Sequence, residues 1–263
     1  MCIALIAINQ HPTYPLIVLS NRDEFYSRPT RAAHFWEFHP SVFAGQDSVA
    51  GGTWLGVNTQ GHFGLVTNYR DPRGLRSDTL SRGMLVKNFL ISNKSPEQYL
   101  LQVQAQKNHY NPFNLIVGSG DKSLYYSNQT HEMASLLTGI YGLSNHLLNT
   151  PWFKVQKLKK AFLRLAEHLA ELNDPLEIST LLMPLLLDVS PAPDEQLPQT
   201  GIPRALEKQL SAIFIHSPQY NYGTRNSTVL LRGENQLWFT EKAGLNVPKT
   251  ISINLCEPRT HWF

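Results

Sequence analysis

The sequence predicts an α+β fold in which antiparallel sheet is layered with helices. Three observations lead there. Short apolar runs come in pairs separated by turn residues, as hairpins require. Two longer segments carry apolar residues at helical spacing. The order along the chain is strands, helices, strands, helices, strands, without the regular βαβ alternation that builds parallel sheet.

The elements follow in order. Cys2–Ile8 is an uninterrupted apolar run and Leu16–Ser20 a second, with Gln10-His11-Pro12-Thr13-Tyr14-Pro15 as the turn between them. Asn21-Arg22-Asp23-Glu24 comes just past the second strand. Hairpin geometry brings this polar cluster beside Cys2. A second hairpin is expected at Thr53–Asn58 and Gly61–Asn68, with Gly51, Gly52, Gly56 and Gly64 marking bulges or close backbone approach. Ser95-Pro96-Glu97 reads as an N-cap, a proline at the first helical position and an early acid, opening a helix to about Lys107. Strands are expected at Phe113–Val117, Ser123–Tyr126 and Thr138–Leu143. Pro151–Leu172 is the clearest helix, with Phe153, Leu158, Phe162, Leu165 and Leu169 at helical spacing. Asp174–Leu187 reads as a second, leucine-rich helix, and the four prolines of 189–203 make that stretch a loop. Ala212–His216, Asn226–Leu231, Leu237–Thr240 and Thr250–Leu255 read as closing strands. No interdomain linker or repeat stands out, so residues 1–263 are expected to form a single domain.

Composition bounds the function. At 263 residues the chain can bury a substantial core. A net charge of +3 does not indicate a nucleic-acid protein. The basic stretch Lys154-Val155-Gln156-Lys157-Leu158-Lys159-Lys160 reads most simply as the solvated face of a helix. No apolar run approaches the roughly 20 residues of a membrane span. Two cysteines, Cys2 and Cys256, give neither a disulfide framework nor a C-x-x-C metal signature. A reducing compartment, the cytoplasm, is expected. Ten histidines invite a metal reading, but none shows H-x-x-x-H or H-E-x-x-H spacing, so no metal site is expected. His34 and His39 flank Phe35-Trp36-Glu37-Phe38, either a mobile flap over a pocket or ordinary surface packing. His261-Trp262-Phe263 reads as a tail.

Cys2 is the residue with most chemistry in it. Removal of Met1 would give it both a thiol and a free amine. That amine, with a pKa of about 7.7–8.0, can act as base for a thiol whose ordinary pKa is about 8.5. One residue would then hold the nucleophile and base of an N-terminal nucleophile hydrolase. The other reading is a small residue buried at a strand start. Asp23 reads as a site carboxylate or a turn former. Arg225, in Tyr222-Gly223-Thr224-Arg225-Asn226, could bind a carboxylate or phosphate or brace Asp23.

Met1-Cys2, Asn21-Arg22-Asp23-Glu24, Gly52-Thr53-Trp54-Leu55-Gly56, Thr67-Asn68, Asn145 before Pro151-Trp152, and Gly223-Thr224-Arg225 together resemble the NRDE family. It is also called the transport and Golgi organisation protein 2 family. That family is in turn similar to N-terminal nucleophile hydrolases such as penicillin V acylase and bile-salt hydrolase. The resemblance implies a four-layer αββα sandwich of two antiparallel sheets. It implies Cys2 as nucleophile, Asp23 as orienting carboxylate, Asn68 and Asn145 as oxyanion donors, and Arg225 as a charge near the site. Asn149, in Asn149-Thr150-Pro151, also fits the hydrolase pattern. Asn21, Arg22, Glu24 and Trp54 become candidate ligand contacts. The hydrolases place an arginine three residues before their aspartate, whereas Arg22 directly precedes Asp23.

Two functions follow. The resemblance implies intracellular haem trafficking, with haem as a transported ligand rather than a required cofactor, haem-acceptor proteins as partners, and a link to acyl-CoA and peripheral membrane contact. The departure at Arg22 places this carrier reading first. The other function is a Cys2-dependent amide or thioester hydrolase or acyltransferase acting on a small acyl substrate.

Overall fold

The computed structural model describes residues 2–244 and 246–256. Met1 and the expected tail His261-Trp262-Phe263 lie outside the described residues. The chain opens with the hairpin β1 (Cys2–Ile8) and β2 (Leu16–Phe25), followed by β3 (Thr30–Trp36), β4 (His39–Asp47), β5 (Leu55–Asn58) and β6 (Phe63–Asn68). Helices α1 (Gly83–Leu90) and α2 (Pro96–Ala105) lead to β7 (Phe113–Ser119), β8 (Lys122–Ser127), β9 (Met133–Ser135) and β10 (Gly139–Leu143). Then come α3 (Phe153–Glu171), α4 (Pro175–Leu182), α5 (Arg204–Gln209), β11 (His216–Ser217), β12 (Tyr222–Arg232), β13 (Gln236–Ala243) and β14 (Lys249–Asn254).

Among the described residues these strands make two antiparallel sheets. The first runs β10-β1-β2-β12-β13-β14, with β11 beside β12, and the second runs β3 to β9 in chain order. Period-two alternation gives each strand two faces, and the faces sort into three apolar layers. Ile6, Val18, Leu230 and Phe239 of the first sheet meet Val57, Phe63 and Ile116 of the second. The outer face of the first sheet, with Ile3, Leu5 and Leu19, packs on Leu158 and Phe162 of α3 and Ile178 of α4. The outer face of the second, with Val42, Leu115 and Tyr126, packs on Phe89 of α1 and Leu100 of α2. Helix, sheet, sheet, helix is the resulting order, and each such buried side chain is worth about 1.5–3 kcal/mol.

The start of α2 matches the expectation: Ser95 accepts from the Gln98 N–H and Gln98 reaches back to the Ser95 N–H. Other elements differ. β2 extends to Phe25, so Asn21-Arg22-Asp23-Glu24 lies inside a strand and not past it. The cause is β12, which pairs with β2 over this whole stretch and satisfies its backbone. The segment expected as one helix at Asp174–Leu187 turns to a 3₁₀ helix at Met183–Leu186, where Pro184 cannot continue the α-helical bonding. Residues 212–215 are not a strand: the Ile213 carbonyl accepts from Asn21 and the Phe214 N–H donates to Asp188. The Phe35–Phe38 segment is the tip of the β3–β4 hairpin, anchored by Trp36, whose Nε1–H donates to the Ala44 carbonyl at 3.0 Å.

Candidate functional site

Antiparallel register sets Cys2 directly opposite Arg22, and Arg22 opposite Asn226. Cross-strand partners share a face, so Cys2 and Arg22 both point between the sheets. Asn21 and Asp23 point to the other face, under the helices. The interior space beside Cys2 is a cavity of about 380 Å³. Its wall is contributed by Cys2, by Arg22 to Glu24 of β2, by Arg28 and Asp47, by Thr53 and Trp54, and by Val66 and Asn68 of β6. The far side is the run Thr79–Gly83 entering α1, with Asn111. Gly52 allows this wall to close. A Cβ there would stand 2.5 Å from the Gly83 carbonyl carbon, and the Thr53 N–H donates to the Gly83 carbonyl at 3.1 Å.

Arg22 is held on all sides. Its guanidinium lies 4.4 Å over the Trp54 ring, donates to Thr30 Oγ1 at 2.9 Å and stands 3.4 Å from Asp47 Oδ2. That same carboxylate oxygen accepts from Arg28 Nε at 2.7 Å, while Oδ1 accepts from the Val49 and Ala50 N–H groups. Burial works against ionisation of Asp47, but Arg28 and these N–H groups keep its carboxyl below the usual range. Glu24 Oε2 is 4.0 Å from Arg28 Nε. Arg82 donates to the Pro112 carbonyl at 3.1 Å, and burial pulls it down to about 10.

Burial pushes the Cys2 thiol up, and the Asp23 charge adds to this; Arg22 and a hydrogen bond from the Asp23 backbone act the other way. Asp23 is buried, and desolvation raises its carboxyl. Opposing that are the charge of Lys154 and the Thr224 hydroxyl, which donates to Oδ1 at 2.7 Å. Tyr222 donates its hydroxyl to the Asp23 carbonyl at 2.9 Å. Lys154 was expected on a solvated face, yet it is 2% exposed, and burial drops it to about 8. A signal was available: Lys154 precedes Leu158 by four and Phe162 by eight, which puts it on the apolar stripe.

The other expected residues divide. Asn68 lines the cavity. Asn145 is fully buried and donates Nδ2 to the Asn68 carbonyl at 2.9 Å, so its amide is engaged in holding Asn68. Next to it, the Ser144 hydroxyl donates to the Cys2 carbonyl at 2.9 Å. Asn149 is a turn residue with φ 59°, accepting from the Gly142 N–H at 2.9 Å. Arg225 occupies a bulge in β12 and donates to the carbonyls of Phe25, Tyr26 and Arg28. It staples the segment that carries Arg28 and does not line the cavity. Asn21 likewise turns away, its Nδ2 donating to the Leu186 and Ile213 carbonyls at 2.8 and 2.9 Å. Sequence reasoning missed Arg28, Asp47 and Arg82, which lie in a loop, at a strand end and at a helix start with no motif to mark them, and it gave no role of its own to Thr224 within Gly223-Thr224-Arg225. Among the described residues no group of three His, Cys, Asp or Glu is placed to hold a metal ion. Among the same residues no helix is long and apolar enough to cross a membrane.

The description Transport and Golgi organisation 2 matches residues 1–245. The chain belongs to the transport and Golgi organisation 2 family. It is 38% identical to the transport and Golgi organization protein 2 homolog of Bos taurus, over 95% of each chain. It is 35% identical to the homolog of Homo sapiens, over 100% of this chain and 99% of that one. Among solved structures it is similar to a mutant conjugated bile acid hydrolase from Clostridium perfringens, with TM-score 0.49 and 11% identity over 97% of this chain and 92% of that one. In this member of the transport and Golgi organisation 2 family, the NRDE stretch is a central strand whose residues alternate between cavity and helix layer.

Proposed function

We propose that the cavity binds a small acyl compound with an anionic group, an amide or thioester, and that Cys2 attacks its carbonyl carbon. The observation that carries this reading is the placement of Cys2 with Arg22, Asp23 and Asn68 around one cavity. With Met1 removed, the Cys2 amine would take the thiol proton, and the Asp23 carboxylate would hold that amine in place. The new S–C bond forms as the C–N or C–S bond breaks, and the departing amine or thiol takes the proton. Water then adds to the acyl-enzyme, releasing the acid and restoring the thiol. Asn68 stands where a side-chain amide can meet the oxyanion, a contribution of about 10²–10³ in rate for a well-aimed donor. Arg82 and Arg28 supply positive charge for the anionic end. This reverses the order expected from sequence, because the wall is dominated by arginines, carboxylates and amides, with few apolar members.

Haem as cargo is the second reading. It is supported by a thiol that can ligate iron in one cavity with two arginines suited to propionates. N-terminal mass analysis and turnover of acyl-CoA and acyl-amide compounds, each in wild type and Cys2→Ala, test the first reading. Loss of Met1 and Cys2-dependent release of acid or thiol are expected. Intact Met1 together with no Cys2-dependent product overturns it. A Soret-region haem titration that shifts in wild type and not in Cys2→Ala would replace it with the carrier.

A further inference from the structure

We infer that Arg82 is the specificity-determining residue of the Cys2 cavity, holding a carboxylate or phosphate at the end of the ligand away from the reacting carbonyl. This deepens the acyl reading and rests on it. Three arginines line the cavity, Arg22, Arg28 and Arg82. The first two are matched by carboxylates. Arg22 and Arg28 share Asp47, at 3.4 and 2.7 Å, and Glu24 stands 4.0 Å from Arg28. The other Glu24 oxygen accepts from the Phe25 N–H at 2.9 Å. Asp23 keeps its carboxylate on the Thr224 hydroxyl at 2.7 Å. Arg82 is the third, and among the described residues it forms no ion pair. The wall thus carries one positive charge with no carboxylate on it, and a charge drawn out of water favours a partner of opposite sign.

The donors of Arg82 say what kind of partner that is. A guanidinium donates on every nitrogen and accepts nothing. Nη1 donates to the Pro112 carbonyl at 3.1 Å. Nε and Nη2 make the flat fork that meets a carboxylate or phosphate with two parallel bonds. Among the described residues neither has a protein acceptor, and neither is a sealed buried atom. Ser81, beside it on the cavity wall, has a hydroxyl that is likewise without a protein partner among these residues. The backbone at this point is fixed. The Gly83 carbonyl accepts from the Thr53 N–H at 3.1 Å, and the Arg82 carbonyl from the Leu85 N–H at 3.0 Å. A guanidinium anchored at Nη1 on a fixed backbone loses little freedom on binding. Cys2 comes to the cavity from the first sheet, and Arg82 from the start of α1, which packs on the second. One ligand that meets both has its carbonyl at the thiol and its anion at Arg82. The volume of about 380 Å³ suits a single small molecule.

The test is an NMR titration of arginine Nε–H and tryptophan indole N–H signals in the full-length protein, with benzoate, phenyl phosphate and benzamide as probes. These share one ring and differ in charge. Arg82 is assigned by loss of its Nε–H signal in Arg82→Lys, and the lining residue Trp54 by Trp54→Phe. A saturable shift of the Arg82 signal is expected with benzoate or phenyl phosphate and not with benzamide. The tighter of the two anions tells carboxylate from phosphate. Arg82→Gln, read at Trp54, should weaken that anion by about tenfold or more, because a charge-assisted pair is lost. Arg82→Lys should fall between, keeping the charge without the fork. Should Arg82→Gln fail to fold, the wild-type shifts decide. Benzamide binding as tightly as the anions overturns the proposal, as do anion shifts at Arg28 with none at Arg82, no saturable anion shift, or a loss below about threefold in Arg82→Gln. Cys2→Ala should bind the anion as wild type does, since no bond to sulfur is involved. Anion binding at Arg82 without turnover sinks only the acyl chemistry, and turnover without it sinks only the role of Arg82.

Discussion

Replacing Arg22 with Met should destabilise the protein by about 2–3 kcal/mol, and the structure says where that figure comes from. The charge-assisted bond to Thr30 Oγ1 at 2.9 Å is worth about 1.5–3 kcal/mol. The desolvated stack on Trp54 at 4.4 Å adds about 2 kcal/mol. The contact with Asp47 adds little, because at 3.4 Å it shares an oxygen that Arg28 already holds at 2.7 Å. Asp47 is therefore not orphaned by the change. Against these losses, methionine keeps part of the packing and removes a guanidinium that burial disfavours. Urea unfolding followed by tryptophan fluorescence reads the result. With a slope of about 3 kcal/mol/M the midpoint should fall by about 1 M. Arg22→Lys should lose nearly as much, since an ammonium neither stacks flat nor reaches two acceptors. A double-mutant cycle with Trp54→Leu should show coupling of about 1 kcal/mol. A loss below about 0.5 kcal/mol with no coupling to Trp54 would refute the reasoning, and would mean that the guanidinium is at liberty to hold a ligand.

Three further outcomes follow from the same geometry. Gly52→Ala should cost about 1–3 kcal/mol and weaken ligand binding at the cavity, because its Cβ meets backbone of Gly83 at 2.5 Å; thermal unfolding and binding titration together check it. Asn21→Ala should cost about 2–4 kcal/mol by orphaning two buried carbonyls, while alkylation of Cys2 in a Cys256→Ser background keeps its wild-type rate; a changed rate with unchanged stability would reverse the assignment. Lys154 also sets a pH dependence. An ordinary lysine holds its proton to 10.5, but in the fold Lys154 releases it at about 8. Between these values the unfolded chain binds more protons, so this group makes stability rise with pH across that window. Denaturation midpoints of Lys154→Met should lack that rise, and parallel curves for the two proteins would contradict it.

Much of this site was legible in the chain before any coordinates. Cys2–Ile8, the turn after it and the polar cluster beyond Leu16 are enough to bring thiol and carboxylate together, because a hairpin has few ways to close. The length of β2 was not legible. Asn21 to Glu24 are polar, and polarity normally ends a strand, yet here a neighbour about 200 positions away supplies the ladder. α1 was invisible for a related reason: it starts at Gly83 with no capping side chain and is held by burial of Leu85, Val86 and Phe89. The apolar run 212–215 misled in the other direction. Its backbone groups go to Asn21, Asp188 and Thr224, so it has strand composition without a strand. Arg225 and Asn145 carry the right chemistry for a site, but their donors are aimed at carbonyls that shape it.

The ten-residue length of β2 carries one more implication. Because its side chains alternate, a single residue inserted or deleted within Leu16–Ser20 would exchange the two sides of the sheet for the part of β2 that follows. Arg22 and Glu24 would then turn toward the helix layer, and Asn21 would turn toward the space between the sheets. Length changes should therefore be absorbed in the loop Gln10–Pro15 and should disrupt the site when placed within Leu16–Ser20.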